Sequence, residues 1–319
     1  MSGRTQAERH QVWIYLVAIG AGLGLGAALP EVQPAFRGLL WPALAALLYA
    51  TFTQVPLVRI SAALRDRRFL GAMLAGNFLA VPMLVAVLLP LAPADPAVRL
   101  GIVLVLTVPC TDWFVAFTHL GGGDAARATA ATPVLLVVQI ALLPGHVWLL
   151  LGPGVTAALP ALPVASAFAL LILLPLGLAG ATEVLARRRR GAARLVARLA
   201  AAPVPLLAAV VFLIAGAEVE AVRAALPVVA DIAWLFALYL ACAVAIGVVL
   251  ARAAALAPRP ARSLVFSLAT RNSFVVLPLA LALPAPWQAA AVAIVVQSLV
   301  ELIGLMILLR LVARLVPER

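Results

Sequence analysis

The most constraining feature of the sequence is a series of long apolar stretches, each of about 20 residues. A helix of that length crosses the hydrocarbon core of a bilayer, whereas membrane β-barrels show short segments of alternating polarity. We therefore predict an all-α polytopic membrane protein with ten transmembrane helices. The predicted spans are about 11–30, 38–57, 70–92, 98–119, 130–152, 161–184, 201–221, 228–251, 262–284 and 286–311.

The distribution of arginines predicts how these spans are oriented. The net charge is +11, but the chain contains no lysine, and its arginines cluster in the connectors between apolar stretches. With both termini in the cytoplasm, 19 of the 23 basic residues lie on the cytoplasmic side, three lie outside and Arg271 lies within a span. This bias predicts that both termini are cytoplasmic and that the protein sits in the inner or plasma membrane. It argues against nucleic acid as a partner.

A run of arginines divides the chain near its middle. RRRRGAARLVAR covers residues 187–198 and is predicted to face lipid headgroups as a connector between two halves. Membrane lipids are therefore expected partners, and a regulatory site for a specific lipid or a nucleic acid is the less favoured alternative. The first apolar stretch is long and has no clear small-residue cleavage site, so we interpret it as a retained helix.

The fourth span contains the unusual sequence VPCTDW, Val108 to Trp113. Pro109 removes a helix hydrogen bond, and a carboxylate at Asp112 is costly in hydrocarbon unless it is paired or hydrated. An interrupted apolar segment that carries polar groups indicates a transporter substrate site. Cys110 is a natural ligand for soft, thiophilic species, and the hydroxyls of Thr107 and Thr111 lie beside it in sequence. The alternative is that Cys110 is an inert small apolar residue.

The two halves of the chain resemble one another in sequence, which predicts an inverted repeat. LVLTVPCTDWFVAF (104–117) aligns with LVFSLATRNSFVVL (264–277) without a gap, so that Cys110 matches Thr270 and Asp112 matches Asn272. VLLVVQ, ending at Gln139, also matches VAIVVQ, ending at Gln297. We predict repeats at 1–157 and 158–319, each of five helices, with broken and crossing fourth and ninth helices. Inverted repeats place a binding site at such a crossing.

The crossing supplies the candidate residues for function. Asp112 and Arg271 are opposite charges near the centres of the two matched spans, and they form either a structural ion pair or a pair for which substrate or a proton competes. Glu301 lies one helical turn after Gln297 and is a proton-relay candidate or a partner in a helix–helix hydrogen bond. The candidate substrate-binding residues are Cys110, Thr111, Asp112, Arg271, Asn272 and Ser273. The candidate proton-coupling residues are Asp112 and Glu301. The candidate supporting polar residues are Asn77, Gln139, Gln297, Thr107 and Thr270.

Other motifs are absent from the sequence. It has no nucleotide-binding motif, no zinc-type cluster of histidine and cysteine and no serine-hydrolase motif. We therefore predict no cofactor, no metal site, no catalytic residues and no enzymatic activity. Two cysteines in apolar segments also predict no disulfide framework. The loop GGGDAARATAATP contributes Thr129 and Thr132, whose hydroxyls are predicted either to reach the site or, at Thr129, to cap a helix.

The motif PC110T in the fourth span and the motif SLVE301 in the tenth resemble the bile acid:sodium symporter superfamily, in its arsenite efflux permease branch. The resemblance implies a secondary carrier in which Cys110 matches the cysteine that this branch uses for transport. It also implies a core of spans three to five and eight to ten, and a panel of spans one, two, six and seven. The sodium-coupled branch has acidic or amide side chains at the crossing, whereas this chain has Arg271. A fixed cation there predicts transport without sodium.

The predicted function is export of arsenite, or antimonite, in exchange for protons, with trivalent arsenic as the substrate. The alternative is a carrier for an organic anion, in which Arg271 and half-helix N-termini hold a carboxylate or sulfonate. A third class is a membrane receptor or channel that carries no substrate. A channel would require a continuous polar lining, but the polar residues cluster at mid-depth.

Overall fold

The structure is a computed structural model that describes residues 3–54, 66–111, 113–158, 166, 168–217, 219–287 and 289–318. Its main elements are helices, separated by short turns. They are α1 (Gly3–Ala28), α2 (Gln33–Phe52), α3 (Arg67–Leu91), α4 (Pro96–Thr107), α5 (Trp113–Leu120), α6 (Ala125–Ala158), α7 (Leu174–Ala186), α8 (Arg190–Leu199), α9 (Pro203–Ala217), α10 (Val219–Ala253), α11 (Pro258–Ala269), α12 (Ser273–Leu281) and α13 (Ala289–Leu315).

Five of these helical segments are long and apolar enough to cross a membrane by length and composition. They are Pro30–Phe52, Arg67–Leu91, Ala125–Ala157, Ala230–Ala253 and Ala289–Leu315. A sixth span results if α8 and α9, which meet at a bend of 53°, are counted together. The all-helical membrane fold is therefore confirmed for the described residues. The ten-span inverted repeat stays a prediction, because α4, α5, α11 and α12 are each shorter than a full crossing.

The chain forms two compact units. The first comprises Met1–Gln54 and Leu162–Pro227. In it α9 packs against both α1 and α2, and α7 packs against α2 and α8. A Cβ atom added at Gly22 would overlap the carbonyl of Phe212, and one added at Gly26 would overlap the carbonyl of Gly216. The glycines therefore allow the backbones of α1 and α9 to touch, as small residues do in membrane helix pairs.

The second unit comprises Val55–Ala161 and Val228–Arg319. Within it, α4 packs against α13 and α6, α12 packs against α13, and α11 contacts α3, α5, α6 and α13. At Gly101 on α4, an added Cβ would overlap the backbone of Ala290, so these two helices also meet at their backbones. All the predicted substrate-binding, proton-coupling and supporting residues belong to this unit.

The third helix departs from α-helical geometry in its middle. Residues Gly76–Ala80 form a π-helical turn just before Pro82. Proline has no N–H, so the carbonyl of Phe78, four residues earlier, lacks its usual helical donor. The imidazole of His146 on α6 interacts with the backbone of Phe78. The π-turn matters for function because it carries Asn77, and such turns occur often at functional sites.

Hydrogen bonds of Arg262 connect the loop after α5 to the residues that follow α13. Arg262 donates to the carbonyls of Val316 at 3.0 Å and Gly122 at 3.4 Å, and it pairs with Glu318 at 3.1 Å. Gly122 has φ of +70°, a left-handed conformation that favours glycine. The guanidinium thereby satisfies a carbonyl just beyond the end of α13, where helical donors have run out.

The expectation that Thr129 caps a helix is wrong. The helix begins four residues earlier, at Ala125, and Asp124 caps it by accepting a hydrogen bond from the N–H of Arg127 at 3.0 Å. Thr129 instead donates to the carbonyl of Ala125 at 2.8 Å, within the first turns of α6. The hydroxyl of Thr132 is likewise occupied, because it donates to the carbonyl of Thr129 at 2.8 Å. That carbonyl lies four residues before Pro133, which has no N–H to offer.

Candidate functional site

Two broken helices form the candidate site. The first half-helix, α4, ends at Thr107, and Val108 follows in an extended conformation with φ of −108° and ψ of 107°. Pro109 cannot donate the hydrogen bond that would continue the helix. The corresponding half-helix α11 ends at Ala269, and Thr270 is extended with φ of −105° and ψ of 136°. After each extended segment a new helix begins, at Trp113 in the first case and at Ser273 in the second.

The two extended segments lie antiparallel and pair through their backbones. The N–H of Cys110 donates to the carbonyl of Thr270 at 3.3 Å, and the N–H of Asn272 donates to the carbonyl of Val108 at 2.8 Å. Pro109 and Arg271 form an isolated antiparallel bridge between these two bonds. Non-helical backbone is tolerated at membrane depth only where protein or water satisfies it. Here each broken helix satisfies part of the other, so the structure brings VPCTDW and ATRNSF together.

The side chains at the crossing are deeply buried. Cys110 has 0% of its surface exposed, and Thr111 has 2%. Asn272 is the N-cap of α12, where its side-chain oxygen accepts from the N–H of Val275 at 3.3 Å. Its amide nitrogen donates to the hydroxyl of Thr111 at 3.5 Å, which links the two segments through their side chains. The thiol, a hydroxyl and an amide thus occupy one buried region.

Thr107 and Thr270 support the half-helices rather than offering their hydroxyl protons to a ligand. Thr107 donates to the carbonyl of Val103 at 2.7 Å, and Thr270 donates to the carbonyl of Phe266 at 2.8 Å. Each bond joins residues four apart in the same helix. The two threonines therefore have matching roles at the C-terminal ends of α4 and α11.

The guanidinium of Arg271 is held by neutral oxygens at the ends of both half-helices. One terminal nitrogen, Nη1, donates to the carbonyl of Leu106 at 3.2 Å. The other, Nη2, lies 2.6 Å from the carbonyl of Ser267 and 3.2 Å from that of Leu268. Helix C-termini carry partial negative charge, so a cation is stabilised there. Only 2% of Arg271 is exposed.

Two further residues complete the surroundings of this guanidinium. The side-chain oxygen of Asn77 accepts from Nη2 of Arg271 at 2.7 Å, while its nitrogen donates to Ser267 Oγ at 2.9 Å. The ring of Tyr239 lies 5.9 Å from the guanidinium carbon, and its hydroxyl donates to the carbonyl of Leu268 at 3.1 Å. The sequence predicts Asn77 as a supporting polar residue because it lies within an apolar span. Sequence reasoning missed Ser267 and Tyr239, because single hydroxyls in apolar helices give no distinctive signal.

The predicted pairing of Asp112 with Arg271 stays a prediction, because Asp112 lies outside the described residues. The hydrogen-bond acceptors found for the guanidinium among the described residues are carbonyl and amide oxygens, none of them charged. Among the described residues, the positive charge of Arg271 is thus stabilised by the partly negative C-terminal ends of two half-helices.

Glu301 belongs to a second hydrogen-bonded chain beside the crossing. Its Oε2 accepts from the backbone N–H of Arg271 at 2.9 Å and from Gln297 Nε2 at 2.5 Å. Gln297 Oε1 in turn accepts from Ser273 Oγ at 3.0 Å. The other carboxylate oxygen, Oε1, is buried and has no hydrogen-bond partner among the described residues. Hydrogen bonds therefore connect Ser273, Gln297 and Glu301, and Glu301 is also bonded to the backbone of Arg271.

Gln139 is not part of either network. It is 1% exposed, and neither its amide oxygen nor its amide nitrogen has a partner among the described residues. The other cysteine, Cys242, is half-buried on α10 and is not among the residues of the crossing. No group of three or more potential metal ligands occurs in the described part of the chain.

Comparison with known proteins identifies the family. The model of the Sodium Bile acid symporter family matches residues 41–225, just over half of the 319 residues. The matched region contains the extended segment around Cys110. A search of the curated proteins finds no match. Apolar helices long enough to span a membrane, two broken helices that cross at buried polar residues, and this match lead to one conclusion: the chain belongs to the Sodium Bile acid symporter family, whose members are membrane transporters.

Proposed function

We propose that the protein is a secondary carrier that exports trivalent arsenic, as arsenite, in exchange for protons and without sodium. The observation that carries the proposal is a fully buried cysteine, Cys110, at the backbone crossing of two broken helices. Such crossings bind substrate in secondary transporters. We further propose that the protein works in the inner or plasma membrane with both termini in the cytoplasm, because this orientation places most arginines inside.

The thiol suits a trivalent arsenic species because sulfur is a soft ligand. Arsenous acid is neutral at physiological pH and carries three hydroxyl groups. Attack by the sulfur of Cys110 forms one sulfur–arsenic bond, and the thiol proton leaves with one arsenic-bound hydroxyl as water. Release is the reverse reaction, in which water restores the hydroxyl and the thiol. A single sulfur ligand keeps the bond reversible, as a carrier requires.

Arg271 supports the absence of sodium coupling. In secondary transporters, unwound carbonyls and the C-terminal ends of half-helices coordinate the coupling cation. In this chain the carbonyls of Leu106, Ser267 and Leu268 already accept hydrogen bonds from a guanidinium. A sodium ion would have to displace a tethered cation and would also be repelled by it.

Replacement of external and internal sodium by potassium or choline is therefore expected to leave arsenite flux unchanged in proteoliposomes. The measurement is the initial rate of arsenite movement at a fixed pH gradient and fixed membrane potential. A flux that collapses when sodium alone is removed would contradict this prediction.

Glu301 is the proposed site of proton exchange among the described residues. Its Oε1 is buried without a partner, so a proton can bind there without displacing a hydrogen bond. The Glu301→Gln variant is expected to lose flux driven by an imposed pH gradient, by about tenfold or more, while retaining arsenite exchange at equal pH. The test compares both rates in proteoliposomes.

Ser298→Ala is the matched control for Glu301→Gln. Ser298 lies on the same helix and donates to the carbonyl of Ile294 at 3.0 Å, within α13. Its variant should keep the response to the pH gradient. If Glu301→Gln also keeps that response in full, proton exchange occurs elsewhere, with Asp112 as the remaining candidate.

Expression in an arsenite-sensitive host tests the proposed function itself. The wild-type protein is expected to raise the arsenite concentration that the cells tolerate and to lower their arsenic content. Inside-out vesicles from these cells should accumulate arsenite when a proton gradient is imposed. Neither protection nor accumulation would contradict arsenite export.

The second candidate is a carrier for an organic anion. It is favoured by the guanidinium of Arg271, whose acceptors among the described residues are neutral and leave its positive charge in place. Its Nε is buried and has no partner there, and it is a donor that a carboxylate or sulfonate oxygen could use. Uptake of a carboxylate in the same vesicles, inhibited by sulfonates and unaffected by arsenite, would favour this candidate over the first.

A further inference from the structure

Gln139 presents a buried polar group that the structure leaves unsatisfied. Only 1% of its surface is exposed, and both its amide nitrogen and its amide oxygen lack a partner among the described residues. Buried amides in folded proteins are nearly always hydrogen-bonded, since leaving them unsatisfied destabilises the fold. In a member of a transporter family, such an amide has donors and an acceptor that remain available to a ligand.

The position of Gln139 can be compared with that of Gln297. VLLVVQ ends at Gln139 on α6, and VAIVVQ ends at Gln297 on α13. The long helix α6 contacts α4 and α5, and the long helix α13 contacts α4 and α12. Each glutamine therefore lies on a long helix that packs against the second part of a broken helix. The backbone pairing of Cys110 with Thr270 agrees with the same correspondence, because these residues match in the sequence alignment.

The two glutamines differ in the residues that surround them. Gln297 accepts from Ser273, the first residue of α12, and donates to Glu301, one turn further along α13. In the sequence alignment, Ser273 corresponds to Trp113, the first residue of α5, and Glu301 corresponds to Leu143, one turn after Gln139 on α6. Leucine has no polar atom, so the counterpart of Glu301 is lost. At aligned positions, the amide of Gln297 is hydrogen-bonded to protein side chains, whereas the amide of Gln139 has no partner among the described residues.

We propose that the amide of Gln139 binds the transported molecule through its hydroxyl groups. The inference rests on the proposed function, and it specifies the ligand as a small, neutral, polyhydroxylated species such as arsenous acid. A hydroxyl group both donates and accepts, so one such ligand satisfies Nε2 and Oε1 together. An anion without hydroxyls accepts from Nε2 but leaves Oε1 buried and unsatisfied. Gln139 therefore contributes to selectivity for a neutral cargo, while Gln297 is committed to Glu301.

Thermal unfolding of the purified full-length protein in detergent, with and without arsenite, tests this inference. Three proteins are compared: the wild type, Gln139→Met and the matched control Gln297→Met. Without arsenite, Gln139→Met should melt higher by on the order of 2 °C, because an unsatisfied amide is replaced by an apolar side chain of similar length. Gln297→Met should melt lower, because Ser273 and Glu301 each lose a hydrogen-bond partner.

The arsenite titration provides the second readout. Arsenite should raise the melting temperature of the wild type, and the concentration that gives half of this rise should increase about tenfold in Gln139→Met. A melting temperature of Gln139→Met below that of the wild type would overturn the inference, because the amide would then have a partner in the protein. An unchanged titration in Gln139→Met would also overturn it and would leave arsenite export standing. A wild type that does not respond to arsenite would contradict the proposed function instead.

Discussion

Replacing Cys110 with serine is expected to abolish arsenite resistance. Serine keeps the size and the hydrogen-bonding capacity of the residue but removes the soft sulfur ligand. An oxygen–arsenic bond at this site offers nothing beyond the bonds that arsenous acid already makes with its own hydroxyls. Arsenite flux in vesicles should fall on the order of 100-fold, which corresponds to about 3 kcal/mol of lost interaction. Tolerance of the host cells should fall to that of cells with an empty vector.

Cys242→Ser is the matched control for Cys110→Ser. Cys242 is half-buried on α10, where its neighbours in sequence are all apolar, and the variant should protect cells as the wild type does. Both variants should reach the membrane in equal amounts, as measured by immunoblot. Protection retained by Cys110→Ser would remove the thiol from the mechanism while leaving export possible. Protection lost in both variants would point to a general effect of removing thiols.

Replacing Arg271 with methionine is expected to disrupt the crossing and to abolish transport. The guanidinium holds the C-terminal carbonyls of both half-helices and the side chain of Asn77. Methionine fills a similar volume but leaves these oxygens buried without a donor. Hydrogen bonds to charged groups contribute about 1.5–3 kcal/mol each, so the loss should total on the order of 3 kcal/mol or more. The melting temperature in detergent should fall by several degrees.

The Arg271→Lys variant shows whether the positive charge or the planar set of guanidinium donors matters at position 271, and Arg310→Gln is the control. Arg271→Lys keeps the charge but offers a single ammonium, which cannot reach both half-helices in the same geometry. It should recover part of the stability and little of the transport. Arg310→Gln changes an exposed arginine on α13 and should leave both properties unchanged. A wild-type melting temperature in Arg271→Met would show that the described contacts contribute no net stability.

The crossing itself was accessible from the sequence. Pro109 interrupts one apolar span, Arg271 marks the other, and the alignment of 104–117 with 264–277 predicts that they meet. The structure brings the two segments together with Cys110 opposite Thr270, the residue with which it aligns. Such a prediction works because a proline and a buried charge are rare in spans and because the two signals occur at matching positions.

The partners of Arg271 could not be predicted in the same way. Its acceptors among the described residues are mostly backbone carbonyls, which every residue carries and which become available only where a helix ends. Asn77 reaches it from a π-turn, whose presence depends on how Pro82 and Gly76 pack in three dimensions. The sequence predicts Asp112 as a partner from its opposite charge, and that pairing stays a prediction. The sequence does not show that the negative ends of two helices converge on the guanidinium.

The same limit applies to the two glutamines. The spacing between Gln297 and Glu301 predicts that they share a helix face, and a hydrogen bond joins them. The matching position of Gln139 predicts a similar environment, yet its amide has no partner among the described residues. Whether an amide is hydrogen-bonded depends on which side chains surround it in the folded protein. The alignment of two apolar motifs does not show those contacts.

The backbone pairing at the crossing has a consequence for how this architecture can change its cargo. Two of the bonds that join the broken helices run between main-chain groups of Val108, Cys110, Thr270 and Asn272. Main-chain groups are the same whichever side chains are attached, so these two bonds do not depend on the side chains at positions 110 and 111. Under the proposed function, mutations at Cys110 and Thr111 can therefore change which ligand is bound while these two bonds persist. In evolutionary terms, the junction separates the inheritance of the fold from the acquisition of a substrate.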